Sequence, residues 1–384
     1  MFLTYLRFEW KLLLQSRKNS LLGVAVIIFF PLYYLHYSQL DIEDMQFLKN
    51  EEAGHIQTIF NAFPEELRET TEGEKIYNNL TQQSSLINMQ RFYLWKKEDD
   101  AKYIEDGLLL NELRLELHDL GNKGIHPNYI VPKEEIYKET ARLQYYREHK
   151  LSLQPDPFVA SNYLPVAIDQ VSGLLFCLFV LLMGSSMMLH DQQKKTVMSG
   201  FPISFMQKMH GKVLIHFIQI MFFIIAGVFV GGAFVALKAG WGNFNSPVLI
   251  YEGGQFITVS VSRYFLDMLI AFALITLLLL YATAFLNNMT KNLYATVLTL
   301  LGIIVLPDLM ATAGITADFL QPIKFIDIGS VLSGEAAMKF GNDKMDFKHT
   351  FAWLLILNVI VVFLLYGWNK WKHVRKLKSS LNSI

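Results

Sequence analysis

The chain has 384 residues, 52% hydrophobic and 18% charged, with 29 phenylalanines, one cysteine and a formal net charge of zero. A soluble domain reaches such values only with an unusually large core, so the distribution of apolar residues decides the class. The lone Cys177 excludes an intrachain disulfide and a zinc site built on cysteines.

The apolar residues fall into six blocks, 21–37, 164–189, 213–237, 264–286, 293–313 and 351–369. Each can cross a hydrocarbon core of about 30 Å at about 1.5 Å per residue, the first only just. The sequence therefore predicts an all-α polytopic membrane protein with six transmembrane helices.

Residues 1–20 place Thr4, Arg7, Lys11, Gln15 and Lys18 three or four apart, with Leu3, Leu6, Phe8, Trp10 and Leu13 around the other side. This pattern predicts an interfacial amphipathic helix. Glu9 does not fit its polar stripe. The first span, 21–37, is followed by bulky polar residues and not by a cleavage site, so it reads as an uncleaved anchor.

Residues 38–163 form a polar insert that reads as mainly helical. "FPEELRET" and "VPKEEIYKET" each open with proline and early acids, and a long charged run from 82 to 120 stops at "GNKG". A long hairpin with short helices is expected there. Asn79 heads a glycosylation sequon.

After the second span, 190–212 reads as a basic loop with a short amphipathic helix from Pro202, carrying Phe201, Phe205 and Met209 at i, i+4 and i+8. In the third span "GVFVGG" has the small-residue spacing that allows close helix approach. Between 238 and 263, two runs rich in β-branched and aromatic residues flank Glu252-Gly253-Gly254, which predicts a β-hairpin. Residues 287–292 are a turn, 314–350 read as short interfacial helices, and 370–384 are a basic tail.

Lysine and arginine set the orientation. The segments that face inward when the N terminus is inside hold Arg7, Lys11, Arg17, Lys18, Lys194, Lys195, Lys208, Lys212, Lys291 and the basic tail, against Glu9 and Asp191. Residues 38–163 carry 23 acids and 14 bases, so the charge asymmetry places both termini in the cytoplasm and the insert outside the cell membrane.

Four ionisable residues fall in or near spans: Asp169, His216, Asp267 and Asp308. Intramembrane charge is costly, which makes each a candidate for a substrate path. Each also has a milder reading: Arg263 stands four residues before Asp267, Asp308 follows the helix-breaking Pro307, and Asp169 and His216 lie near interfaces. No phosphate-cradling loop and no H-E-x-x-H pattern occurs, and the ten histidines lack metal-ligand spacing.

The order Asp191, Lys195, Thr196, Pro202, Ile203, Ser204, Gly211 and Lys212 resembles the inner loop of ABC-2 type transporter permeases. There "HDQQKKT" departs from the glutamate and glycine usual in the family. A second likeness is "LQPIKFIDIGSVLSG", where Pro322, Lys324, Phe325, Asp327 and Leu332 resemble an element after the fifth span of bacterial members.

The resemblance implies the membrane subunit of an ATP-driven exporter. Residues 190–212, with Phe205 and Met209, would couple to a separate ATPase. That partner, in two copies, would bind the ATP and Mg, since this chain binds no cofactor or metal. A second permease copy or a related permease would complete the path, with no nucleic acid involved. The substrate class expected is a peptide, antimicrobial or other amphipathic compound, and the acidic insert favours a cationic one. The alternatives are a membrane-anchored sensor or assembly protein with a ligand-binding ectodomain, and an intramembrane enzyme.

Overall fold

The computed structural model describes residues 1–384 apart from 41, 43, 154–155, 189–201, 316–317 and 382–384, with the backbone alone at 318, 373 and 376–381. Five helices are long and apolar enough to cross a membrane, and a bent pair makes a sixth when counted as one span. The chain is a helical multi-pass membrane protein whose only sheet among the described residues is a two-stranded hairpin.

Helix α1 (Phe2–Leu14) ends six residues short of the reading from sequence. Ser16 is extended, and α2 (Arg17–Tyr37) restarts at once. The break allows Tyr5, Glu9 and Leu13, at i, i+4 and i+8, to be buried together.

The insert contains α3 (Met45–Ala62), α4 (Glu65–Arg68), α5 (Thr71–Lys96), α6 (Asp100–Asp119) and α7 (Lys133–His149). The charged run is divided into the antiparallel α5 and α6 by left-handed residues at Lys97 and Asp99. "FPEELRET" yields only one turn, because the Thr70 hydroxyl accepts from the Gly73 amide at 3.0 Å and caps a new helix. The Asn79 amide is buried and donates to the Leu113 carbonyl at 3.0 Å, so the folded sequon offers no free acceptor for a glycan.

Three apolar clusters, around Ile76, Tyr103 and Leu110, support the insert, and a charged network ties α3, α6 and α7 together. Arg114 donates to Glu139 at 3.2 Å and Glu52 at 3.0 Å, and Lys49 reaches Glu52 at 2.9 Å and Glu139 at 3.4 Å. Burial pushes the Glu139 carboxyl up, but the Lys49 ammonium and Arg114 guanidinium outweigh it and hold the group below the ordinary glutamate value.

The second span is not the straight helix that its apolar run suggests. It is α8 (Ala160–Val171) and α9 (Leu174–Ser185), bent by 62°. Gly173 sits at φ 70°, ψ −134°, a conformation reserved in practice for glycine. An apolar run read as one block runs through Ser172 and Gly173 and is blind to the joint.

Helix α10 (Phe205–Ala239) corrects the boundary at 212: its first two turns are the segment read as the end of a loop. Pro202 does not begin the helix. Ser204 does, in a capping box with Gln207, its hydroxyl accepting from the Gln207 amide at 3.2 Å. At about 1.5 Å per residue the 35 residues extend about 52 Å, so α10 projects beyond a hydrocarbon core. Gly227 and Gly231 both abut Phe30 of α2, and the small-residue spacing thus serves packing within the chain.

Strands β1 (Pro247–Glu252) and β2 (Gln255–Ser260) pair antiparallel with Glu252 opposite Gln255. Gly253 and Gly254 both have positive φ, as a two-residue reversal of type I′ requires. Then follow α11 (Val261–Thr290), α12 (Leu293–Thr312), the short α13 (Gln321–Lys324), α14 (Ile328–Leu332) and α15 (Glu335–Phe340), and α16 (Phe347–Leu381), which runs unbroken into the basic tail. The bundle core centres on Phe176, Met183, Ile220, Ile275 and Leu280, with Cys177 fully buried among them.

Candidate functional site

The bundle has two ends. At one, the terminal end, lie α1, the foot of α10 and the far half of α16; at the other lie the insert, the hairpin and α13–α15. Charged groups collect at both.

At the terminal end, Gly211 brings α1 against α10. A Cβ there would stand 3.1 Å from Leu6 Cδ2 and 3.2 Å from Tyr5 Cε1, tighter than most side-chain contacts. One residue on, the Lys212 ammonium meets the Glu9 carboxylate at 2.8 Å with both side chains almost wholly buried. The acid that broke the polar stripe of α1 is therefore the partner of a lysine from the resemblance motif. A buried pair of this kind ties two elements firmly, since removing one partner strands the other charge.

The end of α9 is held as tightly. Lys18 donates to the Leu182 carbonyl at 2.7 Å and to the Ser185 and Ser186 hydroxyls at 3.0 and 3.2 Å. Asn19 reaches the Met183 carbonyl and Gln219, both at 3.4 Å, and Asn287 reaches the Ser185 carbonyl at 3.0 Å. These side chains satisfy carbonyls that a helix terminus leaves without intrahelical partners. His216 lies one turn beyond Lys212, its Nδ1 3.0 Å from the Lys212 carbonyl oxygen.

Residues 189–201 join these two anchored helix ends. Asp191, Lys195 and Thr196 lie outside the described residues, as does Phe201. Of the remaining coupling candidates, Pro202 is exposed and Ile203 is partly covered. Met209 is fully buried and Phe205 packs against the bundle core. Of the apolar face expected here, Phe205 and Met209 are covered within the chain, and Phe201 lies outside the described residues. With Ser204 as the cap, Phe205 and Met209 become the first core positions of a spanning helix.

At the insert end, four candidates from two separate motifs converge. Lys324, buried, donates to Asp308 at 2.8 Å and Asp327 at 3.4 Å, and Lys339 reaches the other Asp308 oxygen at 2.7 Å. The Asp327 carboxylate abuts Gly173 at the bend, 2.7 Å from where a Cβ would stand. Gly329 lies against Ser172 and Asp169 so closely that a side chain there would collide with both. Asp169 is exposed beside the bend, with no side-chain hydrogen bond or ion pair among the described residues.

Phe325 is buried and Pro322 partly so, and both support this short-helix layer. Asp267 stands apart, bound to Arg263 at 2.9 and 3.0 Å. Among the described residues no group of three potential metal ligands occurs. Sequence reasoning missed Asn19, Asn287 and Lys339; only the pair Asn287-Asn288, polar at the end of an apolar run, offered a signal.

Set against family models, curated proteins and solved structures, the chain matches none.

Proposed function

We propose that the chain is the permease subunit of an ATP-driven exporter in the cytoplasmic membrane, moving a peptide, antimicrobial or other amphipathic compound. Both termini and residues 189–201 face the cytoplasm, and the insert lies outside. The observation that carries this reading is the terminal end, where one connecting segment leaves α9 and enters α10 with both ends bolted to α1, α2 and α11. A force on that segment acts on two spans together, as a soluble motor subunit requires.

The coupling role belongs to residues 189–204 and to the exposed face of the first α10 turns, Gln207 and His210, more than to Phe205 and Met209. The chain has no phosphate-cradling loop, so ATP and Mg belong to a separate ATPase, in two copies, and a second permease completes the path. The bend at Ser172–Gly173, lined by Asp169, Asp327 and Lys324, is the place where a polar group would pass.

The test is purification of the full chain from native membranes. Hydrolysis of ATP should follow a co-purifying subunit and vanish when that subunit's phosphate loop is mutated. Hydrolysis by the chain alone, or a kinase in place of the ATPase, contradicts the reading. Single cysteines at Ser84 and at Gln193, in a Cys177→Ala background, test orientation: an impermeant thiol reagent on intact cells should label the first and spare the second.

A further inference from the structure

Where α7 meets the hairpin there is an open cavity of about 640 Å³, outside the spans and unrelated to the terminal platform or the bend. Its walls follow from two simple periodicities. Helix α7 buries Ile136, Leu143 and Tyr146 toward the rest of the insert, which turns Tyr137 and Gln144 toward the hairpin. On the hairpin, Tyr251 and Phe256 are directly opposite across the two strands and so share a face, their rings 5.4 Å apart at 69°. Met338 and Glu134 also line it, and Tyr137, Met338 and Glu134 are all exposed to an entering molecule.

The chemistry of these walls is already in use once. The Lys138 ammonium lies 4.4 Å from the centre of the Phe256 ring, held by Glu134 at 2.7 Å and Glu135 at 2.9 Å. An aromatic face carries negative charge density, and carboxylates beside it reinforce the attraction for a cation. A further carboxylate, Asp343, accepts from the Tyr251 hydroxyl at 3.1 Å. Lys348, on the first turn of α16, is paired with Glu252. A volume of this size suits a ligand of a few hundred daltons with both apolar and polar surface.

We propose that this cavity binds an organic cation, an ammonium or guanidinium group on an apolar body, with Lys138 as its built-in competitor. The apolar body packs on Tyr137, Tyr251 and Met338, and the charge lies at Phe256 and Glu134. Such a group comes from a peptide with a basic residue beside an aromatic one, or from a small amphipathic amine. The site stands whether or not the chain transports, because binding is read without transport.

The test is calorimetry on the detergent-solubilised full chain at low salt, with phenylalanyl-arginine amide, its neutral citrulline analogue and benzyltrimethylammonium. We expect saturable binding of at least one cationic probe, one per chain, and none of the citrulline analogue. If both cations bind, a small amine suffices; if only the dipeptide binds, the source is a peptide.

Phe256→Leu and Glu134→Gln should each weaken binding about fivefold or more, as loss of a ring face or a facing charge does. Phe256→Tyr should retain it, and Lys138→Met should tighten it by freeing the ring. Thermal unfolding of each variant separates loss of the site from loss of the fold, and Phe256→Tyr with Glu134→Gln carries the test if Phe256→Leu unfolds. Absence of saturable binding overturns the proposal. So does affinity that Phe256→Leu leaves unchanged in a folded chain, the mark of diffuse attraction to an acidic surface, or binding that Lys138→Met weakens.

Discussion

The terminal end and the insert end use charge in opposite ways. At the terminal end the Glu9–Lys212 pair is sealed between α1 and α10, and Lys18, Asn19 and Asn287 spend their donors on the carbonyls of α9. At the insert end Lys324 is buried, but the carboxylates it meets are about a third exposed, and Asp169 stands open beside them. Sealed charges fix the relative position of helices, whereas open ones remain available to something passing. The molecule therefore has one end tied by sealed charges and another that is polar and jointed.

The sharpest way to break this contrast is Glu9→Ala, which removes the carboxylate from the buried Lys212 ammonium. A loss of about 3–5 kcal/mol is expected, the usual cost of breaking a buried pair from one side. Thermal unfolding in detergent should show it, and the double variant Glu9→Ala/Lys212→Met should recover a large part. Asp169→Asn is the counterpart at the open end, and it should leave the melting temperature within the scatter of surface changes. If the two variants destabilise equally, the contrast between the ends fails.

Gly173→Ala probes the joint. The glycine conformation and the neighbouring Asp327 carboxylate both oppose a side chain, and a cost of about 1–3 kcal/mol follows from the backbone alone. Ser204→Ala should cost about 1 kcal/mol, as loss of a helix cap usually does. An effect of Gly173→Ala smaller than that of Ser204→Ala would show that the bend does not depend on the glycine conformation.

A third charged region, in the insert, responds to pH. In the insert, Glu139 has its carboxyl held below the ordinary value of 4.5 by Lys49 and Arg114. A group lowered on folding contributes stability fully above its unfolded value and loses it as pH falls through the folded one. The insert should therefore weaken below about pH 4.5, and Glu139→Gln should flatten that acid limb while lowering stability at neutral pH. Thermal melts across the acid range check both signs; an unchanged limb in Glu139→Gln would place the acid sensitivity elsewhere.

The spans and the hairpin were legible because each rests on a local pattern: apolar runs, and alternation around Gly253-Gly254. The bend was not, since Ser172-Gly173 in an apolar block is compatible with a straight helix until Asp327 and Gly329 pack against it. Sites assembled from distant segments were half legible. Asp308, Lys324 and Asp327 were each notable alone, but nothing in their spacing joins Asp308 to Lys339. Glu9 is the instructive case: its misfit on the helical stripe was visible, and its partner lay 203 positions away. At the foot of α10 the sequence offers two helix starts, Pro202 and Ser204, and only the capping box of Ser204 with Gln207 forms.

Hydrogen exchange of the α1 amides in the intact chain reads how firmly the terminal end is held. If α1, the end of α9 and the foot of α10 form one rigid platform, the amides of Tyr5–Leu13 should exchange as slowly as those of Met209–His216, and Glu9→Ala should accelerate the first set while leaving the middle of α10 protected. Exchange of α1 at the rate of a free peptide in the unaltered chain would contradict the platform and remove the support for transmission through it.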